Sequence, residues 1–518
     1  MTKNKISRFV PIILASVFIT LLYFVSRLQN LTAIPVFGDE AIYIRWSQII
    51  KSVDSLRFVP LSDGKQPLFM WITVTFFKFI NDPLIASRLL SVISGYFTLI
   101  AISLTLAILI NFRSKILNPL EFIAQSITNN YKYCLFISLI YIFTPYSFFF
   151  DRLALPDSLL STLISFSLFF LILITKYPRL DLSILLGSFL GLAWLTKSPA
   201  LYFVVISSVW LLINTFKNKF NLFYSAISAT IAFVIYNILR LGPQFHQIAL
   251  RNQDYVWGLS DILSHPFDPL KSHFLAVLKI WSTYLNWAIV ILPLIALIFY
   301  ILKSKKQFFL LNPLFLLIVW FISPLLVTIT FVKTFTARYI LFSLPSLLII
   351  FSSVFYYFFQ KSTKKPILIA LIILLQIPSF IFIHQISTKP ESVTLPPTEA
   401  GYIQDWTSGW GIKSVSEYLI DRSSFVNVIV GTEGYFGTLP DGLQIYTNQV
   451  PQLTVFGVGL DFTTIPEKLI DAHQYGDEVY LLINQSRNKL LPDEIKKLKE
   501  IQIHPKPAGD NLILYRLI

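Results

Sequence analysis

The sequence predicts a polytopic α-helical membrane protein with a small water-exposed α/β domain after its last span, on three observations. Hydrophobic residues fill 55% of the 518 positions and charged residues 14%, far from the balance of a water-soluble globular chain. Apolar runs of about 18 residues, enough at 1.5 Å per residue to cross a bilayer core of about 30 Å, recur from residue 10 to about residue 384. They stop there, which divides the chain into a transmembrane domain, 1–385, and a C-terminal α/β domain, 386–518. The formal charge of +14, from 42 basic and 28 acidic residues, would point to nucleic acid in a soluble protein. Here the excess lies in short loops between spans, where it orients the chain, so no nucleic-acid partner is expected. The one cysteine, Cys134, excludes an intramolecular disulfide.

The first run, 9–26, follows Lys3, Lys5 and Arg8 as a signal peptide would, but no small-residue cleavage site comes after it, so it reads as a retained helix. Next comes "PLFMWITVTFFKFI", 67–80, which is short, carries Lys78, and by length alone is either a half-span or an interfacial segment. Further spans are predicted at 88–110, 133–150, 158–175, 182–196, 199–214, 221–239, 277–302, 311–331, 337–359 and 367–384, eleven with the first. The charges decide the short segment. If it does not cross, Lys3/Lys5/Arg8, Arg113/Lys115/Lys132, Lys176/Arg179, Lys217/Lys219, Lys303/Lys305/Lys306 and Lys361/Lys364/Lys365 all fall on one side, the cytoplasmic one by the positive-inside rule. The loop 28–87, the turn "DRLALPD", the loop 240–273 and the C-terminal domain then share the extracytoplasmic side. The expectation is a multi-pass protein of the cell membrane with a cytoplasmic N-terminus. In the C-terminal domain "STKPESVTLPPTE" reads as a linker and "IKSVSEYLID" as an amphipathic helix. "FVNVIVGT", "QIYTN", "VYLLIN" and "NLILYRLI" read as strands, and "LPDEIKKLKEIQ" as a helix.

Several polar residues on the outer side carry two readings each. In "GDEAIYIRWSQII" the residues Ile42, Trp46, Ile49 and Ile50 follow helical spacing, so an interfacial amphipathic helix begins here. On the structural reading Asp39 is its N-cap and Glu40 a first-turn acid; on the functional one, a carboxylate at the membrane surface is a general base for a hydroxyl or amine acceptor. Lys65 of "GKQPLFMW" either snorkels to lipid headgroups or meets an anionic ligand. In "DRLALPD", Asp151 and Arg152 are expected to pair at a helix end, and Pro156 with Asp157 to start the next helix. Lys197 of "LTKSP" reads as a helix-end cation. Arg338 of "FTARYILF" stands at a helix N-terminus, the unfavourable end of the dipole, which argues for an anionic partner: lipid phosphate or a phosphate-bearing substrate. There is no Gly-rich P-loop, no HExxH and no cluster of His and Cys, so nucleotide hydrolysis and zinc proteolysis have no support.

Taken together, "GDEAIYIRW", "DGKQPLFMW", "ASRLLSVISG", "DRLALPD", "LTKSP" and "ARYILFSLP" resemble one family. It is that of the bacterial dolichyl-phosphate-mannose protein mannosyltransferase-like glycosyltransferases, relatives of the aminoarabinose transferases of lipid A, with the GT-C fold. Order and spacing agree as far as Pro199 and the likeness thins beyond it, although "GYIQDWTSGWGIKSVSEYLI" is similar to the segment that follows the last span in prokaryotic members. The resemblance implies Asp39 as catalytic base with Glu40 assisting at the acceptor, Lys65 and Arg88 on the donor phosphate, and Tyr43, Arg152 and Asp157 in support. Two positions depart from the family pattern: Gln66 replaces the first proline of "KPPL", and Ser198 the glycine of "TKGP".

The implied reaction takes a sugar from a polyprenyl-phosphate donor to a protein, lipid or glycan acceptor among membrane lipids. Lys65, Arg88, Lys197 and Arg338 are the cations available to hold the departing phosphate. A phosphate leaves as a stable anion, so no general acid is needed, and attack from the opposite face inverts the anomeric centre. No cofactor is assigned. Asp39, Glu40, Asp157 and one of His246, His265 and His273 have the chemistry to hold a divalent metal, but nothing in their spacing demands one. The rival classes are a polyprenyl-lipid or sugar-lipid flippase and a non-catalytic scaffold that displays the C-terminal domain. Against the flippase, the polar residues cluster on one face rather than near the bilayer midplane.

Overall fold

The computed structural model describes residues 3–216, 218–303 and 312–518. Lys217, Lys305 and Lys306, three of the cations behind the predicted orientation, lie outside the described residues. The described chain is a multi-pass membrane protein. Seven of its helices are long and apolar enough to cross a bilayer: Phe9–Leu28, Pro83–Ile110, Pro156–Lys176, Phe220–Leu241, Pro313–Phe331, Ala337–Lys361 and Lys365–Thr388. The first of these exposes Ile13, Leu14, Leu21 and Val25, as a helix facing lipid must. Leu180–Thr196 and Ala200–Phe216 are shorter apolar helices. The first of them meets Phe220–Tyr236 through Gly187 and Gly191. A Cβ at Gly187 would lie 2.7 Å from the Ser228 carbonyl oxygen, and one at Gly191 would lie 2.8 Å from Ile235 Cβ, so only glycine permits the approach.

The eleven predicted runs all fall on helical structure, but not as eleven unbroken spans. The run 277–302 is two helices, Asp268–Tyr284 and one that starts at Trp287, bent by 120° at the break. Asn286 starts the second by accepting the Ala288 N–H at 2.9 Å. The run 133–150 is also split. A helix Pro119–Ile142 starts well upstream of it, where the Asn118 side chain accepts the Leu120 and Glu121 N–H groups, and it ends before Thr144 and Pro145 begin a new turn, Pro145–Phe150. The short segment forms the helix Leu68–Phe76, whose 9 residues span only about 14 Å, too little to cross.

Two compact units make up the chain. One gathers the residues up to Gln29 with Pro60–Phe69 and Leu90–Ile383, and so holds most of the membrane helices. The other gathers Asn30–Val59, Met70–Leu89 and His384–Ile518. This second unit contains a five-stranded sheet: β1 (Val428–Glu433), β2 (Leu453–Gly459), β3 (Glu478–Asn484), β4 (Leu498–His504) and β5 (Leu512–Leu517), in the order β2-β1-β3-β5-β4. The first three strands run parallel, and β5 is antiparallel to both its neighbours. One face of the sheet closes over Ile465, Leu469, Val479, Leu481 and Ile513. The helix Ile412–Ser423 buries Ile412, Val415 and Leu419, as its spacing predicts. Two predictions in this domain are corrected: "QIYTN" lies in a helix, Asp441–Thr447, and "LPDEIKKLKEIQ" is helical only over Pro492–Ile495 and then enters β4. The strand β2, "LTVFGVG", was not predicted.

Candidate active site

Both acids of the opening motif sit on the helix Gly38–Ser52, in the second unit. The residue that caps it is Phe37, with extended backbone at φ −90° and ψ 153°, which corrects the reading of Asp39 as N-cap. Glu40 does the capping instead, its Oε2 accepting the Phe37 N–H at 3.0 Å. Asp39 occupies the first turn and is half-buried, while Glu40 has no exposed surface. Tyr43, one turn on, is buried, with its ring 5.9 Å from that of Trp46.

Arg88, equally buried, grips this loop. Its Nε donates to Glu40 Oε1 at 2.9 Å and its Nη2 to Glu40 Oε2 at 2.7 Å, a fork-to-fork pair. Nη1 donates to the carbonyls of Leu31 and Ile34, both at 2.8 Å, and Nη2 also to that of Pro35 at 3.0 Å. A guanidinium has five N–H groups, and all five of Arg88 are used here. In this arrangement Arg88 has no donor left for a phosphate and Glu40 has no surface to offer an acceptor, contrary to the roles expected of them.

The other cations belong to the first unit. The Lys65 ammonium lies 4.0 Å from Asp63 Oδ2 and 4.1 Å above the ring centre of Tyr255, with its side chain 30% exposed. Asp63 accepts in turn from Arg251 Nε at 2.9 Å. Gly64, at φ +68°, makes room for this: a Cβ there would sit 2.8 Å from Arg251 Cβ. Lys197 closes the helix Leu180–Thr196 and donates to Asp157 Oδ1 at 2.6 Å, its side chain 22% exposed against 3% for the aspartate. The second Asp157 oxygen, Oδ2, is buried and has no hydrogen-bond partner among the described residues. Lys197 Nζ and Arg338 Cζ lie 4.8 Å and 5.4 Å from the ring centre of Tyr339, so one aromatic ring gathers two cations. Arg338 sits in the 3-10 turn Ala337–Ser343 that leads into the helix Leu344–Lys361.

In "DRLALPD", Asp151 pairs with Arg27 at 3.4 Å and accepts from the hydroxyls of Tyr23 and Tyr141, while Arg152 donates to the Gln29 carbonyl at 2.9 Å. Pro156 and Asp157 do open the next helix. Gln66 and Ser198, the two departures from the family motifs, meet each other: Gln66 Nε2 donates to Ser198 Oγ at 2.6 Å. Asp63, Arg251 and Tyr255 went unnoticed in the sequence, although Asp63 stands two residues before Lys65. Among the described residues no three His, Cys, Asp or Glu side chains gather as metal ligands. His273 is engaged otherwise, its Nδ1 at 2.9 Å from the Ile329 carbonyl oxygen and its ring stacked on Phe335.

No family model matches the chain, and no curated protein does. Solved structures do. The chain is similar to ArnT from Cupriavidus metallidurans bound to undecaprenyl phosphate, with a TM-score of 0.58 and 14% identity over 98% of each chain. It is also similar to ArnT from the same organism in the apo state, with a TM-score of 0.55 and 13% identity over 97% of each chain. The chain has the GT-C fold. A third GT-C structure, the apo oligosaccharyltransferase of Archaeoglobus fulgidus, matches 97% of this chain and 74% of its own, with a TM-score of 0.51 and 9% identity. In this GT-C chain Asp39, Glu40 and Lys65 come from the loop after the first membrane helix, and Lys197 and Arg338 from two further turns.

Proposed function

We propose that the chain is a membrane glycosyltransferase that moves a sugar from a polyprenyl-phosphate donor to an acceptor on the extracytoplasmic face, with inversion. The observation that carries this reading is the whole-length likeness to an ArnT structure holding undecaprenyl phosphate, the kind of lipid phosphate such a donor leaves behind. Asp39 is the general base. It takes the proton of the acceptor hydroxyl or amine as that atom bonds to the anomeric carbon and the bond to the donor phosphate oxygen breaks. Lys65, Lys197 and Arg338, each with surface to offer, stabilise the phosphate as its charge grows. Asp157 aims Lys197 by accepting from its ammonium. Arg88 and Glu40 hold the loop that carries the base, Tyr43 packs beside Trp46 on the same helix, and Arg152 binds the Gln29 carbonyl. The positive-inside distribution supports a cytoplasmic N-terminus in the cell membrane.

The test is incubation of the purified protein in lipid nanodiscs with radiolabelled polyprenyl-phosphate sugars and a membrane extract as acceptor. Release of polyprenyl phosphate with label passing to the acceptor is expected, and Asp39→Asn abolishes it while still binding donor. Donor lipid crossing the bilayer without loss of its sugar would place the protein among flippases instead, and full transfer by Asp39→Asn would remove the base assignment.

A further inference from the structure

We infer that the segment Asp405–Trp410 of the C-terminal region is a positioning element for Asp39, so that this region completes the catalytic loop rather than only presenting an acceptor. The inference rests on the transferase reading above. It starts from the three residues before Asp39, which the second unit holds on several sides. Gly409 N–H donates to the Val36 carbonyl at 2.8 Å, and Ser408 forms an antiparallel bridge with Phe37. The Phe37 ring lies 4.4 Å from that of Tyr402. Thr438 Oγ1 donates to the Thr407 carbonyl at 2.7 Å, and it stands 3.1 Å from where a Cβ on Gly38 would be. The segment is anchored in turn by Lys506, whose ammonium donates to the Trp406 carbonyl at 2.9 Å and to Asn484 Oδ1, at the end of β3, at 2.6 Å.

The helix behind Asp39 is tied to the same region. Arg45 Nε donates to Gln444 Oε1 at 3.2 Å and Gln48 Nε2 to the Ile445 carbonyl at 2.7 Å, both on the helix Asp441–Thr447, and Arg45 Nη1 also bonds Asn448. Bonds to residues far along the chain therefore register Val36, Phe37, Arg45 and Gln48 around Asp39. The register depends on a close approach that only glycine allows. A Cβ on Gly409 would sit 2.5 Å from Val36 Cγ1 and 2.6 Å from the Val36 carbonyl oxygen, and because the second is backbone, the two segments have to shift apart there. A displacement of about 1 Å at a general base costs on the order of 100-fold in rate.

The experiment uses the full-length protein in nanodiscs and three variants, Gly409→Ala, Thr438→Val and Thr438→Ser. Steady-state transfer and hydrogen exchange of the peptide 36–41 are measured on each. Gly409→Ala and Thr438→Val are expected to lose about 10- to 100-fold in kcat, with KM for the donor within about 2-fold of the parent, and to exchange faster at 36–41. Thr438→Ser, which keeps the hydroxyl, is expected to behave as the parent does. Thr438→Val is nearly isosteric and keeps the test open if Gly409→Ala misfolds. An unchanged kcat, a rise in acceptor KM alone, or equal damage in Thr438→Ser would each overturn the inference. If the parent itself transfers no sugar, the transferase reading falls and exchange alone decides: faster exchange in the first two variants upholds the tether, and unchanged exchange overturns it.

Discussion

Arg88 is a clamp on the loop that carries Asp39. All five of its donors go to Glu40 and to three carbonyls of the loop. Arg88→Met strands the buried Glu40 carboxylate and is expected to cost about 3–5 kcal/mol. Arg88→Lys keeps the charge but offers three donors and no fork, so it too unfolds earlier than the parent in a thermal scan. A lysine variant as stable as the parent would refute the clamp. Asp441, beside Arg45 on the C-terminal side, gives a pH prediction. Burial pushes its carboxyl up to about 6, against the pull of the Gly437 N–H and the Arg45 charge. The folded state therefore holds this proton more tightly than the unfolded chain does. Its contribution to stability is full below about pH 4 and lost as pH rises through 6. Asp441→Asn should flatten the fall in unfolding midpoint over that window, and a parent midpoint that climbs there would contradict the assignment.

At the scale of elements, the hydrogen bond between Gln66 and Ser198 joins the loop of Lys65 to that of Lys197. A double-mutant cycle through Gln66→Leu and Ser198→Ala should show a coupling of about 0.5–1.5 kcal/mol in unfolding, and strictly additive losses would deny the bond a role. The sequence displayed both residues as departures from a pattern, but nothing local says that they meet across 132 positions. Long apolar helices were legible because period and length suffice for them, and so were β1, β3 and β5. The failures have identifiable causes. "QIYTN" has strand-forming residues, yet Gln444 and Ile445 are held as a helix by bonds to Arg45 and Gln48. "KLKEIQ" has helical spacing, yet it pairs with β5 as an edge strand. Two glycines hide β2, and one of them is required, since a Cβ at Gly457 would lie 2.2 Å from the Gly434 carbonyl oxygen. Asp39, Lys65, Lys197 and Arg338 were legible as exposed charges in an apolar chain. The saturation of Arg88 was not, because it depends on three carbonyls whose directions only the folded loop sets.

For the whole molecule, the GT-C fold and the proposed lipid-phosphate donor lead to a linkage prediction. Undecaprenyl phosphate at about 100 times its Kd should stabilise the parent by about 2.7 kcal/mol. The shift should persist in Asp39→Asn and shrink in Lys65→Ala, as read from thermal unfolding in nanodiscs; an equal shift in Lys65→Ala would move the phosphate elsewhere. The compact unit that contains Asp39 is assembled from segments far apart in the chain, closing with His384–Ile518. During synthesis Asp39 emerges early, while Gly409, which fixes the strand before it, is added about 370 residues later. At about 5–20 residues per second the ribosome needs on the order of 20–70 s to cover that distance. The nascent chain thus passes through membrane insertion with Asp39 not yet held from that side, and the proposed transfer waits on residues made long after it.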